Sequence, residues 1–246
     1  MEIPGKLNKT AIEILKKSEL QWFLDSGALL GWMREGCFLI GDKDIDIGIL
    51  NTPIAKIEAV IKEIAACGYR TVWFHLPNGS KYKCKLIPKQ EALQEKIIDF
   101  QIYRLINNEY ICPQVCFNNS LTFTQRVRMK CIRIQKGMDI VQKQNKLKYY
   151  AQLILKKILV RDNNRIVLDI MESNMFRTYV WAIPVEYASS LIFDQSIGFN
   201  RFNNYNDYLS YRYGDWRTPV SHWSFDVDDG GIRPADANTV NTLYHN

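Results

Sequence analysis

Three aspartates stand at alternate positions in one short segment of the sequence: Asp42, Asp44 and Asp46. Residues 44–50 alternate between acidic or small and aliphatic side chains, and this period of two is typical of a β-strand. On such a strand the carboxylates share one face, and a hard divalent cation such as Mg²⁺ would relieve their repulsion. The pattern by itself leaves two interpretations open, a metal site and an exposed strand edge with alternating acids.

A further carboxylate interrupts an apolar run downstream. Residues 97–102, IIDFQI, predict a buried strand, and Asp99 stands within it. A charge in such a place is costly unless it is paired or coordinates a cation. Asp99 is therefore a candidate third metal ligand, although a structural bond to the backbone or to an arginine would also satisfy it.

The turn before the acidic segment has the composition of a phosphate-binding site. Asp25-Ser26-Gly27 joins a short apolar segment over 21–24, which suits a buried strand, to a helix predicted from Gly27. Backbone N–H groups at a helix start, together with the Ser26 hydroxyl, can hold a phosphate group. A plain capped helix with a glycine for close packing explains the same residues. The order of turn, carboxylate pair and third carboxylate resembles the layout of polymerase-β-type nucleotidyltransferases, in which metal ions bridge acidic side chains and nucleotide phosphates.

The elements that must position these residues predict an α/β (α+β) fold. Apolar periodicity predicts helices over 7–18 and 53–68 and strands over 69–75, 81–87 and 97–105. In the second half, an apolar stripe predicts a long amphipathic helix over 139–160, and the tail from about residue 200 is turn-rich. We expect a single domain over 1–246. It would combine a nucleotidyltransferase-type mixed sheet with flanking helices over 1–110 and a mainly helical, irregular acceptor-side extension over 111–246.

Length and composition place the chain among ordinary globular proteins. Its 246 residues are 47% hydrophobic and 24% charged, which excludes intrinsic disorder and allows a core that needs no disulfides. No apolar run approaches the ~18 residues of a transmembrane helix, and the N-terminus lacks the apolar core of a secretory signal. The six cysteines include no Cys-x-x-Cys pair, which indicates reduced thiols. We therefore expect a cytoplasmic protein.

Positive charge is concentrated in one segment of the chain. The formal net charge is +6, and residues 126–165 alone carry twelve Lys and Arg against two Asp. Such a segment attracts nucleic acid, phosphorylated ligands or an anionic membrane surface, although a solvated helix face would look the same. Lys81, Lys83 and Lys85 share one face of a predicted strand, which is compatible with phosphate contacts and with an exposed strand face.

Two blocks of the sequence resemble the LicD family. Residues 24–48, LDSGALLGWMREGCFLIGDKDIDIG, resemble the hallmark stretch of the family, and residues 213–219, YGDWRTP, resemble its C-terminal Tyr-Gly-Asp block. Members of this family are phosphocholine and polyol-phosphate transferases, with fukutin and fukutin-related proteins as animal relatives. The chain departs from the hallmark at Ala28, at Ile40-Gly41 and at Lys43, which leaves the nucleotide pocket and the donor identity open.

The resemblance implies an enzyme, a LicD-type phosphotransferase with a nucleotidyltransferase fold. The reaction would be the Mg²⁺-dependent transfer of a phosphoryl-linked head group from a CDP- or CMP-activated donor to a sugar hydroxyl, with release of CMP. Phosphocholine, a polyol phosphate or a phosphonate are the candidate head groups, and Mn²⁺ is an alternative to Mg²⁺. The acceptors would be cell-surface glycans of the lipopolysaccharide, teichoic acid or capsule type, with a lipid-linked form as one option.

The resemblance also implies roles for individual residues. Asp44 and Asp46 would bind the metal, and Asp99 would be either the third ligand or the base that takes the acceptor's proton. The other assignments are catalytic roles for Asp42 and Asp215, a phosphate site made of Asp25, Ser26, Gly27 and Arg34, and an acceptor or head-group side with Trp216 and Arg217. An ion pair with an acidic neighbour is the alternative for Arg34, and ordinary packing is the alternative for Trp216. An aromatic wall near Trp216 could hold a quaternary ammonium group.

Two other functions remain open from the sequence. The first is transfer of the nucleotide itself onto protein, RNA or a small molecule, with release of pyrophosphate. The second is a non-catalytic module that binds RNA or a membrane through residues 126–165. The resemblance to phosphotransferases implies that the protein has no nucleic-acid partner. It also implies a peripheral position at the inner face of the cell membrane as an option within the expected cytoplasmic location.

Overall fold

The computed structural model of the chain describes residues 3–76, 78–89, 95–117, 121–123, 125–126, 176–188, 190–236 and 240. The helix expected over 139–160 lies outside the described residues, as does the basic segment 126–165 except for Arg126. In chain order, the described elements are α1 (Lys6–Lys17), β1 (Trp22–Leu24), α2 (Ser26–Glu35), β2 (Asp44–Leu50), α3 (Ile54–Ala66), β3 (Tyr69–His75), β4 (Lys81–Pro88), β5 (Ile97–Ile106), β6 (Glu109–Phe117), β7 (Phe176–Pro184), β8 (Leu191–Asp194), β9 (Phe199–Phe202), α4 (Tyr205–Tyr213), α5 (Phe225–Asp228) and β10 (Ile232–Pro234).

Eight of the described strands form one mixed sheet in which β5 is the central strand. The first part of β5 lies between β2, with which it is parallel, and β4, with which it is antiparallel. The last part of β5 pairs with β6, and the sheet continues through β7 to β10. On the other side, β1 pairs with β2, and β3 pairs with β4, while β8 and β9 form a separate hairpin. The acidic segment in β2 and the strand that carries Asp99 are therefore direct neighbours.

The alternation within β2 separates the hydrophobic core from the acidic face. Ile45, Ile47 and Ile49 are fully buried, whereas the side chains of Asp44 and Asp46 are partly exposed. Helices α1 and α3 contact each other and bury their aliphatic sides in the same hydrophobic cluster as these isoleucines. Burying one face of β2 in this way fixes its register and therefore fixes the face on which the aspartates lie.

A glycine in β2 allows the two strands at this edge to pair. Gly48 stands directly across from Phe23 of β1, and a Cβ atom on Gly48 would overlap the phenyl ring. Any larger residue would force the ring out of the core, where it packs on Phe202 with a centroid distance of 4.3 Å. Gly48 is therefore a packing requirement of the fold beside the acidic segment.

The C-terminal part of the chain packs against the first two elements of the sheet region. Phe202 of β9 contacts Phe23 of β1, and Phe199 lies 5.2 Å from Trp32 of α2, measured between ring centroids. Residues of α4 belong to the same hydrophobic cluster. The fold thereby brings the block over 213–219 to the region of α2 and β2.

The mixed α+β class with flanking helices is confirmed, but the second half contains more strand than the sequence pattern predicted. In its described part, β6 to β10 outnumber the helices α4 and α5. The sequence of β7, FRTYVWAIP, is rich in aromatic and β-branched residues, and these favour a strand once a neighbouring strand is present. Its partner β6 pairs with it along its whole length. None of the described helices is long and apolar enough to cross a membrane.

Candidate metal and phosphate site

Three carboxylates meet on one face of the sheet. Asp44, Asp46 and Asp99 each place a carboxylate oxygen within 4.8 Å of the other two, and we call these residues the carboxylate triad. The register explains the meeting, because Asp46 pairs with Asp99 across β2 and β5, and Asp44 lies two residues before Asp46 on the same face. A set of three carboxylates offers the oxygen ligands that Mg²⁺ and Mn²⁺ prefer.

The electrostatics of the triad fit a divalent cation. Burial, and then the negative charges of Asp44 and Asp99, raise the pKa of Asp46 well above its usual range. Asp99 is only 2% exposed, and its Oδ1 atom is buried without a hydrogen-bond partner. Buried polar atoms normally have a partner, so this oxygen is available as a ligand atom. The donor set, the mutual repulsion and the unpartnered oxygen all agree with a metal site.

Two lysines of β4 partly neutralise the triad. The Nζ atoms of Lys83 and Lys85 each lie 2.9 Å from Asp99 Oδ2, and Lys85 Nζ also lies 3.6 Å from Asp44 Oδ2. Burial by itself lowers the pKa of Lys85, but attraction by Asp99 outweighs this effect, so the pKa of Lys85 is raised. These two lysines are therefore ion-paired residues of the site rather than members of an exposed strand face.

Helix α2 begins directly beside the triad. The backbone N–H of Asp25 donates to the carbonyl oxygen of Asp46 at 3.1 Å, which fixes the start of α2 next to a candidate metal ligand. Ser26 has φ 47°, in the left-handed region, a conformation that costs a non-glycine residue about 1–3 kcal/mol. The carboxylate of Asp25 accepts a hydrogen bond from the backbone N–H of Ser26 at 2.7 Å, and this bond stabilises the left-handed conformation of Ser26. A strained residue held in place by its neighbours is characteristic of a preorganised binding site.

Asp42 lies against the first turn of α2. A Cβ atom on Gly27 would stand 2.8 Å from Asp42 Oδ2, so glycine is required for this close approach. Burial and then the charge of Asp44 raise the pKa of Asp42, and Lys96 lowers it to a smaller extent. A carboxylate with a raised pKa at the wall of a cavity is a candidate proton acceptor.

A network of buried polar side chains stabilises the start of α2. Asp25 is fully buried, and its carboxylate accepts hydrogen bonds from the hydroxyl of Tyr103, at 2.7 Å, and from that of Tyr208. Arg212 forms an ion pair with Asp25 at 3.3 Å and donates to Ser26 Oγ at 3.3 Å. The expected place of Asp25 in a phosphate site stays a prediction. Protein donors occupy its oxygens, and it can act on a phosphate only by positioning Ser26.

Arg212 and its second partner, Asp229, were not predicted from the sequence. Arg212 is 1% exposed, and its Nε and Nη2 atoms each donate to a different oxygen of Asp229 at 2.6 Å. The position of Arg212 directly before the block 213–219 is the signal that could have identified it. Asp229 gave no such signal, because residues 226–229 have the composition of an ordinary solvated turn.

A cavity of about 330 Å³ is lined by acidic and aromatic residues together. Its lining includes Ser26, Gly27, Arg34, Asp42, Asp44 and Asp46. The aromatic residues of the lining, which we call the aromatic wall, are Trp181, Tyr213, Trp216, Trp223 and Phe225. Asp215 also lines the cavity and accepts a hydrogen bond from the Thr218 hydroxyl at 2.6 Å. The cavity therefore offers polar groups suited to phosphate and aromatic faces suited to a ring or an apolar cation.

Three residues assigned from the sequence do not line this cavity. Asp25 and Asp99 are buried and are not among the lining residues. Asp99 is connected to the cavity by its closeness to Asp44 and Asp46, which do line it. Arg217 lies over the ring of Trp216, 4.4 Å from its centroid, and donates to Asn206, and its place on the acceptor or head-group side stays a prediction. Arg34 does line the cavity, and it also forms the expected alternative, an ion pair with its neighbour Glu35 at 2.8 Å.

The chain is similar to known proteins over part of its length. Residues 19–130 match a family model described as LicD/FKTN/FKRP, nucleotidyltransferase domain, and this segment contains the triad and the start of α2. The uncharacterized protein RP689 of Rickettsia prowazekii is 28% identical over 32% of this chain and 30% of its own length. The uncharacterized protein RT0683 of Rickettsia typhi is 31% identical over 26% of this chain and 21% of its own length. The chain thus aligns with less than a third of either relative.

Proposed function

Because residues 19–130 match the LicD/FKTN/FKRP nucleotidyltransferase-domain model, we propose that the chain is a transferase of phosphoryl-linked head groups. The donor is a CDP- or CMP-activated head group, the acceptor is a sugar hydroxyl of a cell-surface glycan, and CMP is released. The observation that carries this proposal is the triad of Asp44, Asp46 and Asp99 beside the start of α2. Phosphoryl transfer depends mainly on charge neutralisation and positioning, and these residues are suited to supply both.

The triad and the start of α2 would bind different parts of the metal–donor complex. Asp44, Asp46 and Asp99 would bind Mg²⁺ or Mn²⁺, which when bound neutralises charge on the phosphate groups. The hydroxyl of Ser26 and the backbone N–H groups at the start of α2 bind phosphate oxygens. Arg34 also lines the cavity and supplies a positive charge there.

Asp42 is better placed than Asp99 to take the proton from the acceptor hydroxyl. Asp99 is buried, is ion-paired to two lysines and does not line the cavity, which suits a metal ligand better than a base. Asp42 lines the cavity, and its raised pKa makes its carboxylate a stronger base than an ordinary aspartate. We assign the base role to Asp42 on this ground.

The aromatic wall is the proposed site of the head group or the acceptor. Two of its three indole rings already have an arginine near one face: Arg212 lies 4.8 Å from the centroid of Trp181, and Arg217 lies 4.4 Å from that of Trp216. Arg212 also lies 5.9 Å from the centroid of the Tyr213 ring. These positive charges disfavour a second cation on the same rings, which leaves Trp223 as the indole best suited to a quaternary ammonium. A neutral polyol head group avoids this repulsion.

Product analysis would test the proposed reaction. Purified protein would be screened by thermal shift with CDP-choline, CDP-ribitol, CDP-glycerol and CMP-phosphonates in the presence of Mg²⁺, because a ligand of the folded state raises its melting temperature. Binding donors would then be incubated with glycan acceptors and the nucleotide products separated. CMP release that Asp46→Asn abolishes supports the proposal. Pyrophosphate release from CTP would support nucleotidyl transfer instead, and salt-sensitive RNA binding without turnover would support a binding module.

The partners and the location stay predictions. Residues 126–165, which would contact an anionic membrane or a lipid-linked acceptor, lie outside the described residues apart from Arg126. A vesicle-sedimentation assay with anionic lipids at low and high salt would test that contact, since salt screens such attraction. A cytoplasmic position at the inner face of the cell membrane is proposed on the same basis.

A further inference from the structure

Three lysines alternate along β4, but they have different partners. The side chains of Lys81, Lys83 and Lys85 lie on one face of the strand, while the residues between them are buried. Lys81 pairs with Glu58 of α3, away from the triad. Lys85 stands directly across from Asp99 in the sheet and lies between Asp99 and Asp44, at 2.9 Å and 3.6 Å. Lys85 therefore occupies the position of a counter-ion between two of the three candidate metal ligands.

The charges of this cluster nearly balance without a metal ion. The three carboxylates of the triad bring three negative charges when ionised, and Lys83 and Lys85 bring two positive ones. Adding one divalent cation changes the sum from minus one to plus one, which attracts a phosphate group. Without the two lysines the same loaded site would keep a net negative charge and would repel phosphate.

We propose that Lys85 is a built-in counter-ion of the triad that gives way to the divalent metal ion and then binds a phosphate oxygen of the donor. This inference rests on the proposed function, because it assumes that the triad binds a metal. Lys83 stays paired with Asp99 Oδ2, which would leave the unpartnered Oδ1 of Asp99 available as a ligand atom. The charge on Lys85 stays the same throughout, and only its partner changes.

The different settings of the two lysines support this division of roles. The side chain of Lys83 is 14% exposed and forms an ion pair with Asp99, whereas that of Lys85 is 27% exposed and bridges two carboxylates. A metal ion bound by Asp44 and Asp99 would stand close to the ammonium group of Lys85 and repel it. The flexible stem of a lysine allows the ammonium group to move while its aliphatic part stays packed.

Metal titration of Lys85→Met is the test. Isothermal titration of Mn²⁺ into donor-free protein should show binding about tenfold tighter than for the wild type, because a competing positive charge has been removed. The KM for a donor that the wild type uses should rise on the order of tenfold, because a charge-assisted phosphate contact is lost. Opposite changes in metal and donor affinity distinguish this role from general damage to the site, which would weaken both.

Two further variants serve as controls. Lys81→Met removes a lysine from the same face of the same strand, and both affinities should stay at the wild-type values. Lys85→Arg keeps the charge, so its metal affinity should stay within about threefold of the wild type. Tight metal binding by Lys85→Arg, equal to that of Lys85→Met, would overturn the explanation by charge.

The outcomes separate this inference from the proposed function. A wild-type protein that binds no Mn²⁺ would contradict the metal site itself, and Asp46→Asn gives the baseline for that measurement. A wild type that binds Mn²⁺, together with a Lys85→Met variant that binds it no more tightly, would overturn the inference and leave the proposed function standing. If Lys85→Met folds only in the presence of Mn²⁺ and unfolds when EDTA is added, the counter-ion role is supported. If its stability is lowered equally with and without metal, that role is contradicted.

Discussion

Replacing Arg212 with methionine would remove the cation at the centre of the buried network. Arg212 pairs with Asp229 at 2.6 Å and with Asp25 at 3.3 Å, and all three side chains are almost completely buried. Its loss leaves two buried carboxylates without their counter-ion, and breaking a buried pair in this way costs about 3–5 kcal/mol. For a chain of this length, such a loss lowers the melting temperature by roughly 6–20 °C. Methionine fills much of the volume of the arginine stem, so the cost arises mainly from the missing charge.

Thermal and urea unfolding followed by circular dichroism would measure this loss. Arg233→Met is the matched control, because its paired contact with Glu109, at 2.7 and 2.8 Å, is exposed to solvent. An exposed pair contributes about 0–1 kcal/mol, so the control should lose little stability. Adding Asp25→Asn and Asp229→Asn to the Arg212→Met variant should recover part of the loss, since no uncompensated charge remains. An Arg212→Met variant as stable as Arg233→Met would refute the reasoning.

Three further predictions concern the site and its surroundings. Asp44→Asn and Asp46→Asn should each abolish metal-dependent turnover while the metal-free melting temperature stays unchanged or rises, because repulsion within the triad is removed; near-normal turnover in a coupled CMP assay would contradict the ligand assignment. Gly27→Ala should lower kcat at nearly unchanged stability, because the added methyl group displaces Asp42. In steady-state kinetics, the double variant Gly27→Ala/Asp42→Asn should have nearly the same kcat as Asp42→Asn alone. Hydrogen bonds from Ser196 and from Arg201 lower the pKa of Asp194 below 3.8, so the stability that they provide is present above that pH and is lost as the pH falls through the lowered pKa. Asp194→Asn should therefore destabilise the protein at neutral pH but not in strong acid, and a loss that unfolding curves show to be equal at all pH values would contradict this.

Local patterns in the sequence were sufficient to predict the acidic half of the site. The alternation over 44–50 predicted β2 with its observed ends, because one buried face of a strand imposes a period of two on a few consecutive residues. Asp99 was identified because a carboxylate within an apolar strand needs a compensating partner. In both cases the evidence lies within about seven residues of sequence, and the nature of the chemistry follows from the residue types.

Partners that are distant in sequence could not be predicted in this way. The alternating lysines of β4 look like an exposed strand face, and only the pairing of β4 with β5 reveals that Lys85 faces Asp99. Arg212 is separated by 187 positions from Asp25, and no periodicity connects the two. The described strands of the second half are short or depend on a neighbour that only the fold supplies. For this reason the composition of β7 was weak evidence until its pairing with β6 was seen.

The start of α2 depends on residues from both ends of the chain, and this determines what the functional unit is. The segment over 19–130 contains the triad, but a fragment ending there would leave the buried carboxylate of Asp25 without Tyr208 and Arg212. The left-handed conformation of Ser26 is unfavourable by itself and is held by the network to which these residues belong. The acidic residues of the cavity can therefore be encoded in a short stretch of sequence, while the geometry of the candidate phosphate site requires the C-terminal part of the chain to fold back over α2.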